Sequence, residues 1–420
     1  MMDYLSTLAL ISFNLSESIV YIVNYKELCN SKDILFCYYI SKDNVTFRTM
    51  FICYYVFHTP RPYCLTLSCL IKELTMYNIN ISSRTLHFLH PTGTSRGIYT
   101  TRKSYYITMT DSNQPRVTGI GECATLPDLS CDAMPDEEYE QKLRTFCDDF
   151  CRTGVIDFDA MRPYPSMLFG LETAKAQLDA KGSINLFNTP FGRGEEGITI
   201  NGLVWMGTFE EMYQRLEAKL KAGFRCVKLK IGAIDFEKEL DLIRHIRQAF
   251  TREQVELRVD ANGAFTLKDA MQRLEALAQY DIHSIEQPIR QHQWQEMARL
   301  CANTPLPIAL DEELIGVNNP TEKALLLDTT RPQYIILKPS LHGGMTGTRE
   351  WITMARERNI DSWITSALES NIGLNAIAQL TADIYGPDIT TPQGLGTGQL
   401  FTDNIPMPLE IRGDQLWISV

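Results

Sequence analysis

CVKLKIGAIDFEKELDLIRHIRQAFTREQVELRVDAN, residues 226–262, reads as strand, helix, strand. An apolar run ends on Lys230. FEKELDLIRHIRQAF then places apolar residues at helical spacing, and a second apolar run ends on Asp260. The same unit recurs downstream. IHSIEQP closes on Glu286, PIALDEE on Asp311 and YIILKPS on Lys338, so the five charges are 30, 26, 25 and 27 residues apart. Each step is about one strand plus one helix.

Outward from this ladder, the alternation covers residues 196–402. Further strands are expected at ITINGLVW (198–205), DSWITSA (361–367) and 392–398, which makes eight strand positions separated by helices. That pattern predicts a parallel β/α barrel rather than an open doubly wound sheet. No GxGxxG follows a strand, which removes the main cue for dinucleotide binding.

Residues 76–195 mix both element types. YNINISSRTLHF, RKSYYITMTDS and VTGIGECATLP read as strands, with Gly119 and Gly121 as turn punctuation. The 135–151 and 166–181 stretches read as helices. This is an α+β domain, and the strand-like IPMPLEIRGDQLWI predicts that 403–420 returns to it.

The first 75 residues differ. They hold no glycine, five of the 11 cysteines (Cys29, Cys37, Cys53, Cys64 and Cys69) and crowded Tyr, Phe and Ile. Asp3, Lys42, Asp43, Arg48 and Arg61 interrupt the apolar stretches, so none reaches the roughly 18 residues of a membrane span. With no basic segment before the apolar stretch near Leu8, a signal peptide is not expected either. The segment reads as an extension outside the functional fold. Scattered cysteines without a CxxC pair fit reduced thiols in the cytoplasm. A net charge of −11 disfavours nucleic acid and anionic membrane as partners and leaves a small molecule.

In a parallel β/α barrel the C-terminal strand ends meet at one mouth. Asp260, Glu286 and Asp311 would converge there, and three close carboxylates repel unless protonated or bound to a cation. Oxygen ligands without His or Cys suit Mg²⁺, with Mn²⁺ as a substitute. Lys230 and Lys338 would flank that cation. Its charge should lower their pKa towards the working pH, as a general acid or base requires.

The motifs KLK (228–230), DAN (260–262), EQP (286–288), LDEE (310–313) and LKPS (337–340) resemble the enolase superfamily, muconate-lactonizing subgroup. The resemblance covers about 76–420. It implies a modified TIM barrel, (β/α)7β, under an α+β N-terminal capping domain. It further implies Mg²⁺ on Asp260, Glu286 and Asp311, with Lys230 as acid/base and Lys338 opposite it. Lys228 would face a substrate carboxylate, and Asn262 and Glu312 would support the ligands.

Histidine-base members of the superfamily carry their base late in the barrel, where DSWITSALESNIG has none. Dipeptide epimerases place Asp-x-Asp on the eighth strand, where this chain reads GLGTG (394–398). Gly394, Gly396 and Thr397 would offer backbone N–H groups to a carboxylate instead. PTGTSRGIYTTRKSYY (91–106) is similar to the substrate loop of the o-succinylbenzoate synthase family, as is SALESNIGLNA (366–376). This makes Thr94, Arg96 and Ser366 candidate substrate contacts. The resemblance implies a carboxylate substrate and a Mg²⁺-dependent dehydration. The alternative is racemisation or epimerisation of an N-acylamino acid on the same scaffold.

Overall fold

The computed structural model describes residues 76–420 except 95, 96, 206, 233, 388 and 420; of 10–15, 18–25, 34–41, 50–54, 92–94 and 97 it describes the backbone alone. The chain divides into two compact units, Met1–Thr75 and Met76–Val420. Within the first, the backbone of four strands is described: β1 (Leu10–Leu15), β2 (Ser18–Tyr25), β3 (Ile34–Ser41) and β4 (Met50–Tyr54). They form an antiparallel sheet in sequence order. The reading of 1–75 as an extension otherwise falls outside the described residues.

The second unit opens with an antiparallel meander of β5 (Tyr77–Thr94), β6 (Gly97–Asp111) and β7 (Gln114–Cys123). Helices α1 (Asp136–Thr153), α2 (Phe158–Met161) and α3 (Pro165–Asp179) follow. Ile107, Met109, Leu143, Phe150, Met167 and Leu171 form their shared core. Gly119 and Gly121 do not mark turns: both lie inside β7. A Cβ on Gly119 would stand 1.9 Å from the Ala174 carbonyl oxygen, and one on Gly121 1.8 Å from that of Gly170. Glycine is needed there because α3 lies directly on the strand.

The barrel begins with β8 (Ile198–Thr199) and β9 (Gly202–Val204). It continues through α4 (Phe209–Lys221), β10 (Cys226–Lys230), α5 (Phe236–Ala249), β11 (Glu256–Asp260), α6 (Ala270–Leu277), β12 (Ser284–Glu286) and α7 (Trp294–Asn303). The last units are β13 (Ile308–Leu310), α8 (Pro320–Thr330), β14 (Tyr334–Leu337), α9 (Gly344–Arg356), β15 (Asp361–Ile364) and α10 (Asn371–Tyr385). Strands β9 to β15 form one parallel sheet in chain order. Closure comes from 393–394, where Gly394 bridges Thr365 and Gln393 bridges Ile200, both parallel. The architecture is therefore (β/α)7β. Local chemistry agrees with it: Thr208 and Glu211 form a capping box on α4, and Asp235 caps α5.

The C-terminal return is split. Residues 400–402 reach the cap, where Leu89 N donates to Leu400 O at 2.7 Å and Thr402 N to His87 O at 2.9 Å. The hairpin β16 (Leu409–Arg412) and β17 (Gln415–Ile418) pairs with β8 at the barrel entrance instead. The expected return over 403–420 holds at Asp403, whose Oδ1 accepts from His87 N at 2.8 Å, and is corrected beyond it: Leu416 and Ile418 are buried in the barrel core, not that of the cap.

Candidate active site

Strand register brings the ladder together. Lys230 is the direct partner of Asp260, and Asp260 of Glu286. Glu286 lies opposite Ala309, so Asp311 stands two residues further up. Alternation sends Lys228 and Lys230 to the same face of β10. Asp260 and Asp311 are fully buried, Glu286 nearly so.

Lysines neutralise the carboxylates. Lys228 Nζ lies 2.9 Å from Asp260 Oδ2 and also pairs with Glu286 Oε2. Lys230 Nζ donates to Asp260 Oδ2 at 2.9 Å and to Asn262 Oδ1 at 2.7 Å. Asn262 Nδ2 passes the connection to Glu312 Oε1 at 2.9 Å. Lys338 Nζ pairs with Asp311 Oδ2, and its own backbone N–H donates to His342 Nδ1 at 2.8 Å. Gln287, fully buried at φ +38, accepts from Asp311 N at 3.3 Å and Glu313 N at 3.1 Å.

The charges act on one another in a definite order. Burial disfavours ionised Asp260, but Lys228 and Lys230 outweigh it and hold this carboxyl well below its usual range. Burial and the neighbouring Asp260 push Glu286 well above its own. Burial opposes the charge on Lys338, yet Asp311, Glu312 and Glu286 raise its pKa, and Lys228 is raised in the same way. The nearest charges to Lys338 are carboxylates, and they favour the ammonium.

Among the described residues no three carboxylates already converge as a ready ligand set. Lys228 Nζ stands between Asp260 and Glu286 in their place. The donors nevertheless suit a hard divalent cation. Glu286 Oε1, Asp311 Oδ1 and Glu312 Oε2 are buried with no hydrogen-bond partner, an uncommon and costly state for a carboxylate oxygen.

Above the carboxylates opens a cavity. Lys228, Lys230, Asn262, Glu312 and Lys338 line its floor, and Ser366, Gly394, Gly396 and Thr397 line one side. Ser366 Oγ and Thr397 Oγ1 share a hydrogen bond of 2.6 Å. The expected role of Gly394 is corrected: its N–H donates to Ile364 O at 2.8 Å, so barrel closure uses it. The Thr94 side chain and Arg96 lie outside the described residues. Sequence reasoning missed the apolar walls, among them Tyr99, Leu126, Trp205, Trp363 and Leu368. For the tryptophans a signal existed, since Trp205 and Trp363 sit in the strand segments ITINGLVW and DSWITSA. Among the described residues no helix is long and apolar enough to cross a membrane.

A barrel mouth holding carboxylates between opposed lysines, under an α+β cap, defines an enolase-type enzyme. Residues 211–413 match the family model described as enolase C-terminal domain-like. The o-succinylbenzoate synthase of Desulfotalea psychrophila is 47% identical over 368 residues, spanning 80% of this chain and 97% of that protein. The crystal structure of MenC from the same organism superposes with a TM-score of 0.68 and 42% identity, covering 81% of this chain and 99% of that one. A hydrophobic dipeptide epimerase of Roseobacter litoralis is more distant, 24% identical over 336 residues, spanning 77% of this chain and 94% of that protein. This chain belongs to the o-succinylbenzoate synthase family of the enolase superfamily.

Proposed function

We propose that this protein is an o-succinylbenzoate synthase, a hydro-lyase that dehydrates a succinyl-hydroxycyclohexadiene carboxylate to o-succinylbenzoate in menaquinone biosynthesis. The 47% identity over nearly the whole of a synthase carries this reading. The cavity supports it, because its eighth-strand side is Gly394, Gly396 and Thr397, with no acid to hold a substrate ammonium.

Lys230 is the base that removes the proton α to the carboxylate. As the resulting ammonium it returns that proton to the departing hydroxide, so one C–H and one C–O bond break and water leaves. One lysine serving both steps makes the elimination syn. Lys338, as an ammonium opposite, stabilises the planar anion electrostatically. Lys228 adds charge beside the substrate carboxylate. Asn262 aims the Lys230 amine, and Glu312 orients Asn262 through the hydrogen bond at 2.9 Å. Asp260, Glu286 and Asp311 would hold Mg²⁺, or Mn²⁺ as a substitute. When bound, the ion supplies positive charge for the second negative charge that the carboxylate acquires on deprotonation.

Met1–Thr75 lie outside the catalytic fold in this reading. A full-length relative matches about four-fifths of the chain, which supports that assignment. The six cysteines among the described residues are unbridged, which fits a reducing cytoplasm. The test is dehydration of the cyclohexadiene precursor, followed by absorbance of the aromatic product. Absence of turnover with Mg²⁺ present would refute the assignment.

A further inference from the structure

A buried charged seam joins the cap to the cavity wall, and the reaction above uses none of it. Arg102 on β6 and Glu122 in β7 come from the cap; Glu369 and Ser370 come from the loop after β15. None of the four is more than 4% exposed. Arg102 donates through Nη1 to Ala367 O and through Nη2 to Ala124 O at 3.1 Å. Glu122 accepts from Ser104 Oγ at 2.9 Å, and it satisfies the start of α10 through Ser370 N (3.0 Å), Ser370 Oγ (2.6 Å) and Gly373 N (2.9 Å). Glu369 accepts from Ala367 N at 2.7 Å and from Ser340 Oγ at 2.5 Å. Both peptide groups of Ala367 are therefore held by seam charges.

The next residue shows what this holding achieves. Leu368 has φ +65, a region that non-glycine residues avoid unless the surroundings impose it. Its side chain lines the cavity, as does that of Leu126, two residues beyond Ala124. Leu126, Ala367 and Leu368 share one small core across the seam. Arg102 thus ties together the two chain segments that carry facing parts of the apolar wall. Its planar fork reaches the two carbonyls through two separate nitrogens held in a fixed geometry, which a single ammonium nitrogen does not reproduce.

We propose that Arg102, Glu122 and Glu369 are positioning residues that fix the Ala367–Leu368 turn against Leu126 and so set the shape of the wall that seats a cyclic carboxylate substrate. None of the three lines the cavity or bonds to the ladder. This rests on the reading of the cavity as the site of carboxylate deprotonation. A held wall serves binding more than bond breaking, because the proton transfer belongs to Lys230.

The experiment measures turnover of the cyclohexadiene carboxylate against its concentration, read as aromatic product and as α-proton exchange in deuterated water, alongside Mn²⁺ binding by electron paramagnetic resonance. Arg102→Met should raise KM about tenfold or more, leave kcat within about threefold and leave Mn²⁺ affinity unchanged. Arg102→Lys should fall between it and the wild type. Glu369→Gln, which keeps shape and volume, carries the same criteria if Arg102→Met does not fold. A folded variant with unchanged KM overturns the proposal, as does a kcat that falls in step with KM or a loss of Mn²⁺ affinity. A wild type that exchanges the α proton without dehydrating refutes the proposed function and still leaves this test readable.

Discussion

Asn262 Oδ1 accepts a hydrogen bond from Lys230 Nζ at 2.7 Å, so the amine is aimed by a neighbour two residues past its carboxylate partner Asp260. Asn262 itself sits at φ +43 and is held by Glu312. Asn262→Ala should therefore lower kcat by about 10–100-fold, the usual cost of losing a supporting partner at such a site, with Mn²⁺ affinity less affected. Steady-state kinetics beside metal titration separates the two; an unchanged kcat would remove Asn262 from the mechanism.

Gln287 spans two strand ends through one buried amide. Gln287→Met keeps the volume but leaves Asp311 N and Glu313 N without their acceptor. The expected stability loss is about 1–3 kcal/mol, read from urea midpoints. Mn²⁺ binding should weaken by about 10–100-fold, since Asp311 loses its backbone anchor. Wild-type Mn²⁺ affinity in this variant would contradict that link.

Glu172 predicts a pH dependence of stability. Burial raises its pKa to about 7, against hydrogen bonds from Thr346 and Met345 at the start of α9. The folded value lies above the unfolded value of 4.5. Its contribution is therefore complete below pH 4.5 and is lost as pH rises through 7, up to about 3 kcal/mol. Relative to Glu172→Gln, which cannot titrate, the wild type should lose ground between pH 5 and 8. Parallel stability curves for the two proteins would refute this.

The ladder was legible because each of Lys230, Asp260, Glu286, Asp311 and Lys338 ends an apolar strand, and parallel register then forces the five towards one mouth. The glycines were not. Gly119 and Gly121 looked like turns, since a sequence does not reveal that α3 presses on β7. Gly394 looked like a free N–H donor, whereas barrel closure takes its hydrogen. Arg102 and Glu122 gave no signal either: their partners lie 265 and 248 residues away, and no local pattern announces such pairs.

Removal of divalent metal should abolish turnover and lower the melting temperature. Mg²⁺ at 100 times its dissociation constant should restore about 2.7 kcal/mol, provided the unfolded chain does not bind it. A melting temperature indifferent to EDTA and to added Mg²⁺ would argue against an ion on Asp260, Glu286 and Asp311.

The central claim is that Lys230 both takes and returns the proton in a dehydration. Wild type and Lys230→Ala are compared with Mg²⁺ present, on the cyclohexadiene precursor, by absorbance of the aromatic product. The account predicts rapid formation of o-succinylbenzoate by the wild type and a loss of at least about 10³-fold in the variant, which keeps its fold and its Mn²⁺ affinity. Near-normal dehydration by Lys230→Ala would contradict it.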